Sequence, residues 1–126
     1  MITIRYIYSA CVVIATPDCT ILCDPWFTPA YDGAWVQWPK IHDPIRTIGR
    51  VDYIYLSHIH HDHYHPQFLK VYREVYPDVK ILIARHSTPL LSNKLYNRDT
   101  THGIGEQIIG STRLNPVPNA NGIDSA

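Results

Sequence analysis

The stretch LSHIHHDHYHP, residues 56–66, holds five of the eight histidines of the chain, together with one aspartate. It overlaps the end of a short β-type run, VDYIYLS, which we predict to be a strand buried on both faces. Pro66 suits the first turn of a helix, and the apolar residues after it recur at helical spacing. The histidines are therefore predicted to lie in the connection between a strand and a helix.

The order of these side chains is typical of metal ligands. His58 and His60 are two residues apart, so on an extended segment their side chains point to the same side. Asp62 and His63 follow directly and could bind a second metal ion. Imidazole suits zinc, iron and manganese, and a carboxylate oxygen broadens that choice. A solvated loop with incidental histidines is the alternative, but the apolar segments on both sides favour metal binding.

The segments around this loop predict an α/β fold with a mixed β-sheet and flanking helices, because a run of strands is followed by strand–helix–strand. STPLLSNKL predicts a second helix, and the segment DPWFTPAYDGAWVQWPK, with all three tryptophans, is too irregular for a strand or helix. The predicted strands are ITIRYIY, CVVIAT, TILC, VDYIYLS, VKILIA and one or two strands in GEQIIGSTRLNPV.

Length and composition are those of one domain. We expect a small-molecule substrate. The chain has 126 residues, and its 11 basic and 11 acidic residues balance, which argues against nucleic acid or an anionic membrane as a partner. No apolar run reaches the roughly 18 residues that span a bilayer. Three cysteines without a CxxC pair (Cys11, Cys19 and Cys23) favour buried thiols in a reducing compartment, so we expect a cytoplasmic protein.

The segment SHIHHDH, residues 57–63, resembles the H-x-H-x-D-H signature of the metallo-β-lactamase superfamily, with Ile59 and His61 in the variable positions. ILCDPW, residues 21–26, is similar to a pattern in the N-terminal meander of that superfamily. DPWFTPAYDGAWVQWP also resembles the branch that includes CMP-N-acetylneuraminate hydroxylase-like proteins. The resemblance covers residues 2–84 and implies the first half of a four-layer αββα sandwich.

For the site, the resemblance implies that His58 and His60 hold one metal ion and that Asp62 and His63 hold a second. Zinc is expected, with iron or manganese as alternatives. A metal-bound hydroxide would attack an ester, lactone, amide or phosphoester, with Asp62 as the catalytic residue that orients it. The alternatives are a di-iron, oxygen-using relative that acts on a sugar nucleotide, and a non-catalytic binding module.

Weaker candidates surround the signature, and each has an ordinary structural role as its alternative. Asp24 would lie near the metals or cap the turn at DPW, and His61 is expected to face away. The other candidates are His65 as a helix cap or pocket residue, His86 after the strand VKILIA, His102 in a polar loop, and Trp26, Trp35 and Trp38 as core, lid or pocket wall.

The resemblance also implies ligands that the sequence does not supply. The superfamily completes its site with a third histidine, a bridging aspartate and a last histidine, but no histidine follows His102. Asp124 is the only acid in the segment NPVPNANGIDSA. We therefore expect the domain, residues 1–126, to be incomplete. A missing C-terminal half, a partner chain or self-association would complete it, and the chain alone would bind metal weakly.

Overall fold

The computed structural model describes residues 1–96 and 102–117. Its elements alternate from strands to helices and back, much as the sequence predicts. In chain order they are β1 (Thr3–Tyr8), β2 (Cys11–Ala15), β3 (Thr20–Cys23), α1 (Pro44–Ile48), β4 (Tyr53–Leu56), α2 (Pro66–Val75), β5 (Lys80–Ile83), α3 (Leu90–Tyr96), β6 (His102–Ile104), β7 (Gln107–Ile109) and β8 (Thr112–Leu114).

Strands β1 to β6 form one sheet in which the spatial order equals the chain order. The β1–β2 and β2–β3 pairs are antiparallel, whereas β3, β4, β5 and β6 run parallel to one another. Strands β7 and β8 form a separate antiparallel hairpin. The predicted mixed sheet with flanking helices is therefore confirmed, and its parallel part aligns the carboxyl ends of three central strands at one edge.

The hydrophobic core lies between one face of this sheet and the helices. Alternate residues of the central strands point to this face, among them Leu22 and Ile54, both with no exposed surface. Helix α2 contributes Phe68 and Leu69, and α3 contributes Leu91. Full burial of each such side chain stabilises the fold by about 1.5–3 kcal/mol.

Helix α2 begins at Pro66, as the sequence predicts, and ends at Val75. Tyr72 ties this helix to the start of β4, since its hydroxyl donates a hydrogen bond to the carbonyl of Gly49 (2.6 Å) and accepts one from the amide of Val51 (3.0 Å). The contacts fix the helix relative to the sheet, and so they also fix the path of the histidine loop between β4 and α2.

Three predictions of local structure need correction. Helix α1 was not predicted, because its five residues carry little periodicity; it begins after Asp43, whose carboxylate accepts a hydrogen bond from the amide of Arg46. Strand β4 is buried on one face only, and Tyr53 and Tyr55 on the other face are half-buried. His102 belongs to strand β6 rather than to a loop, because pairing with β5 creates a strand where the local sequence is polar.

The second face of the sheet carries apolar side chains that none of the helices in residues 1–96 and 102–117 covers. Ile14 of β2 pairs with Ile4 of β1 and with Ile21 of β3, so the three lie side by side. Ile4 is 69% exposed and Tyr6 is 68% exposed. The segment 113–117 lies over the middle of this face and borders a cleft of about 350 Å³. None of the helices in the described residues is long and apolar enough to cross a membrane.

Candidate metal centre

The candidate site lies where the parallel strands β3, β4 and β5 end. Asp24 directly follows β3, Ser57 and His58 directly follow β4, and His86 comes shortly after β5. The carboxyl edge of a parallel sheet is the usual position of functional side chains in α/β folds. The fold thus brings residues more than 30 positions apart to the histidine loop.

His58 and His60 form the first predicted ligand pair. Nε2 of His58 is 3.0 Å from Nδ1 of His60. On its other side, Nδ1 of His58 is 2.9 Å from the hydroxyl of Ser57, which is itself 2.7 Å from Oδ2 of Asp24. Because the hydroxyl has one proton and donates it to the carboxylate, it accepts from Nδ1 of His58. Nε2 of His58 therefore carries a lone pair toward His60.

Asp62 and His63 form the second pair, with Oδ2 of Asp62 3.3 Å from Nε2 of His63. Nδ1 of His63 donates to Oδ2 of Asp24 at 2.9 Å. Burial would lower the pKa of His63, but the hydrogen bond and charge of Asp24, together with Asp62, raise it. A metal ion at Nε2 would therefore compete with a proton, which makes binding dependent on pH.

Electrostatics differ between the two pairs. Burial, with the neighbouring His63 and His60, lowers the pKa of His58, so its ring is held neutral, as a metal ligand must be. Asp62 is only 7% exposed, and burial alone would raise its pKa. The hydrogen bond from Tyr31, a backbone hydrogen bond and the nearby His63 and His60 together outweigh burial, so the pKa of Asp62 is lowered. Asp62 is thus a buried carboxylate that stays ionised.

Asp24 is the residue that connects the two pairs. Its backbone has a positive φ of 41°, and its carboxylate is buried. Oδ1 accepts from the amide of Ser57 at 2.8 Å, while Oδ2 accepts from the Ser57 hydroxyl and from His63. One carboxylate therefore orients a histidine of each pair, directly or through Ser57. Carboxylates that hold the far nitrogen of a ligating histidine are common around metal ions.

Tyr31 is a site residue that the sequence did not indicate. Its hydroxyl donates to Oδ1 of Asp62 at 2.8 Å, and its ring stacks on the ring of His61, with 5.5 Å between centroids. Tyr31 lies in the irregular aromatic segment, 31 residues before Asp62. No local pattern in that segment gives the direction of the tyrosine side chain; only the fold does.

The donor atoms fit a metal ion as two pairs. Zinc–nitrogen bonds of about 2.0–2.1 Å in a tetrahedral arrangement place neighbouring ligand atoms about 3.3 Å apart. The observed separations, 3.0 Å in the first pair and 3.3 Å in the second, are close to that value. Within the described residues, no group of three or more His, Cys, Asp or Glu side chains is arranged to hold a metal ion. Each pair would therefore supply two of the ligands that an ion needs.

The remaining histidines lie around the two pairs. His61 is exposed and stacks on Tyr31. His65 is the residue before α2, but its side chain makes no capping bond; Nε2 lies 3.0 Å from the hydroxyl of Thr28. Nε2 of His86 donates to the carbonyl of Ser57 at 3.1 Å, which supports the residue before the first ligand.

The three tryptophans have different environments. Trp26 is buried, whereas Trp35 is 54% exposed and Trp38 is 84% exposed. The ring of Trp35 meets that of Tyr31 edge to face at 5.2 Å, so it contacts the tyrosine whose hydroxyl is bonded to Asp62. Asp124 and the side chain of His102 lie outside what the structure describes.

Sequence comparison agrees with the fold. A family model described as a beta-lactamase superfamily domain matches residues 3–119, and the chain belongs to that superfamily. The fold is accordingly that of a metallo-β-lactamase-like half domain, as predicted.

Two groups of relatives are similar to this chain. A Mycolicibacterium smegmatis protein named "Putative Rieske 2Fe-2S iron-sulfur protein" is 39% identical over 77 residues, 60% of this chain and 14% of the relative. The cytidine monophosphate-N-acetylneuraminic acid hydroxylase of Sus scrofa is 34% identical over 114 residues, 86% of this chain and 23% of that enzyme. The Mus musculus hydroxylase is 28% identical over 122 residues, 93% of this chain and 19% of that enzyme. The predicted branch is thus confirmed, although the chain spans less than a quarter of each relative.

Proposed function

We propose that this chain carries the metal-ligand loop of a metal-dependent enzyme, with His58, His60, Asp62 and His63 as ligands. The observation that supports this most directly is that two pairs of donor atoms converge. One buried carboxylate, Asp24, accepts a hydrogen bond from the other ring nitrogen of His63 and is linked to that of His58 through Ser57. Such outer hydrogen bonds fix the tautomer of each histidine, so its lone pair points to the ion.

For the reaction, we propose an iron-dependent hydroxylation, in agreement with the printed names of the hydroxylase relatives. Such a reaction converts C–H and O2, with two electrons and two protons from an external reductant, into C–OH and water. Bound iron would supply the redox chemistry with oxygen. Within this chain, Asp24 and Ser57 orient His58, burial and the neighbouring histidines keep its ring neutral, and Asp62 supplies a fixed negative charge. The substrate class proposed from these relatives is a sugar nucleotide.

Hydrolysis of an ester, lactone, amide or phosphoester is the second candidate. The observation in its favour is the buried, ionised carboxylate of Asp62 in the second pair, which suits a group that orients an attacking water. Imidazole and carboxylate donors also suit zinc. In this reading a bound zinc ion would act as a Lewis acid.

An iron–sulfur cluster does not fit the described residues of this chain. A Rieske cluster needs two cysteine thiolates and two histidines. Cys11 packs in the hydrophobic core, and Sγ of Cys19 lies 3.6 Å from the hydroxyl of Thr16. The described residues contain no group of three or more histidine, cysteine or acidic side chains with the right arrangement. The iron proposed here is therefore bound by the histidine loop.

We also propose that the ligands still needed come from protein that packs on the second face of the sheet, either more of the same polypeptide or a partner. The exposed Ile4 and Tyr6 on that face are the supporting observation. Sedimentation over a range of chain concentrations tests self-association. A monomer at all concentrations would contradict a second copy as the partner.

Metal titration of the purified chain tests the proposed function. Iron(II), added anaerobically, and zinc(II) are titrated into the wild type and a His58→Ala/His60→Ala variant. His42→Ala is the matched control, since His42 is exposed and outside the loop. We expect binding by the wild type and the control and loss in the double variant. Equal binding by all three would contradict the assignment. Oxygen consumption with iron, or ester hydrolysis with zinc, then separates the two reactions.

A further inference from the structure

We propose that Tyr31 is a positioning residue that holds Asp62 with a single carboxylate oxygen directed toward the second ligand pair. This inference rests on the proposed metal function of Asp62 and His63. It assigns a role in the site to the irregular segment between β3 and α1.

The two oxygens of Asp62 have different partners. Oδ1 accepts the hydrogen bond from the Tyr31 hydroxyl at 2.8 Å, and Oδ2 faces Nε2 of His63 at 3.3 Å. The carboxylate cannot rotate about its last bond without losing the first contact. While that hydrogen bond is present, Oδ2 is the oxygen left for a metal ion, so Asp62 is set up as a ligand through one oxygen.

The backbone of Tyr31 adopts a conformation that its residue type disfavours. Tyr31 and Asp32 have positive φ angles of 52° and 55° and form the centre of a tight turn, in which the amide of Gly33 donates to the carbonyl of Ala30. Turns with two positive φ angles usually contain Asn, Asp or Gly at these positions. A tyrosine held in such a conformation needs compensating contacts, and strain of this kind is concentrated at functional sites.

The turn is closed and the ring is held on two sides. Ala30 and Trp35 exchange a pair of backbone hydrogen bonds, at 3.0 and 3.2 Å. The ring of Tyr31 stacks on His61 and meets the edge of Trp35. These contacts bring the hydroxyl to Asp62 with little freedom of the ring. If packing alone explained the turn, the hydroxyl would be dispensable.

Tyr31→Phe tests this distinction because it keeps the ring and removes only the hydroxyl. Cobalt(II) serves as the probe, since its absorption spectrum reports the ligands of each bound ion. Tyr76→Phe is the matched control, because Tyr76 packs on Tyr72 at the other end of α2. We expect the second equivalent of cobalt to bind about tenfold more weakly to Tyr31→Phe, with an altered spectrum. The affinity for the first equivalent should be unchanged, and the thermal midpoint should fall only by the loss of one hydrogen bond.

Wild-type affinity and spectrum for both equivalents in Tyr31→Phe would overturn the proposal. A wild type that binds no cobalt would instead count against the proposed metal function. In that case, a metal-free cycle of Tyr31→Phe and Asp62→Asn in denaturant measures the contact directly. Coupling of the two substitutions supports the positioning role, whereas strictly additive effects overturn it.

Discussion

The two edges of the parallel sheet both carry aspartates, but the hydrogen bonds of these aspartates serve different purposes. At the amino edge, Oδ2 of Asp52 accepts from the amide of Thr20 at 2.8 Å, and Oδ2 of Asp18 accepts from Ser111 and Thr112. At the carboxyl edge, Asp24 accepts from Ser57 and from His63.

The two edges differ in the hydrogen-bonding capacity that remains on the partners of these aspartates. The partners at the amino edge are amides and hydroxyls, whose hydrogen-bonding capacity is largely used by the contact itself. His63 at the carboxyl edge is an imidazole with a second nitrogen, and that nitrogen faces Asp62. Free lone pairs that converge, rather than the number of charges, therefore distinguish the candidate site from a structural edge.

The largest expected effect comes from removing the first ligand pair. His58→Ala/His60→Ala should weaken metal binding by more than about 100-fold, because loss of direct ligands exceeds the roughly 10–100-fold loss found for outer contacts. Both side chains are half-buried, so we expect little change in the free energy of unfolding. Calorimetric titration with zinc, together with urea denaturation, measures the two quantities. Strong destabilisation with unchanged affinity would show that these histidines are structural, so the carboxyl edge would not be a metal-binding edge.

Asp24→Asn should have the second-largest effect. The amide side chain cannot accept from both Ser57 and His63 in the same way, so the histidines lose their fixed tautomers. We expect metal affinity to fall about 10–100-fold. The free energy of unfolding should also fall by about 1–3 kcal/mol, because Asp24 is buried with polar partners. The same titration and urea curves are used; unchanged affinity would show that the carboxylate is purely structural.

Tyr72 provides a pH-dependent test at the amino edge. Burial raises the pKa of Tyr72 to about 12, whereas an unfolded tyrosine titrates near 10. In the folded state Tyr72 therefore stays protonated to a higher pH than in the unfolded state. Its contribution to stability is complete below pH 10 and is lost as the pH rises toward 12. The difference between the two pKa values corresponds to roughly 3 kcal/mol at most. Urea denaturation between pH 8 and 11 should show this decline, and Tyr72→Phe should reduce it.

Cys11 and Cys23 also have a pKa of about 12, so part of the decline will remain in Tyr72→Phe. A profile identical to that of the wild type would show that Tyr72 does not contribute. Metal affinity at neutral pH should be the same in both chains, since Tyr72 contacts the start of β4 rather than its end.

The sequence predicted the parts of this structure that depend on local pattern. The strands, the start of α2 at Pro66 and the position of the histidine loop follow from alternation, helical spacing and proline. The pairing of His58 with His60 follows from their spacing of two on an extended segment. These features are encoded within a few residues of each other.

Contacts between distant segments could not be predicted in the same way. The hydrogen bond of Tyr31 to Asp62 depends on a turn with positive φ angles in an irregular segment. The role of Asp24 depends on the parallel pairing of β3 with β4, which brings it to Ser57. Strand β6 is likewise a product of its pairing with β5, because its own three residues carry no strand pattern.

The smallest expected effect is that of Asp18→Asn, the counterpart of Asp24→Asn at the opposite edge. Hydrogen bonds from Thr112 and Ser111 lower the pKa of Asp18, so its contribution is present at neutral pH and is lost as the pH falls below about 4. Asp18 is exposed, and asparagine keeps one oxygen acceptor, so we expect a small loss of stability at neutral pH. The free energy of unfolding should also depend less on pH below about 4, and urea denaturation at several pH values measures both effects. Metal affinity should equal that of the wild type, since β3 separates Asp18 from Asp24. If Asp18→Asn weakened metal binding as much as Asp24→Asn, the loss would reflect the stability of the sheet, and the proposed division between a structural edge and a ligand-orienting edge would be wrong.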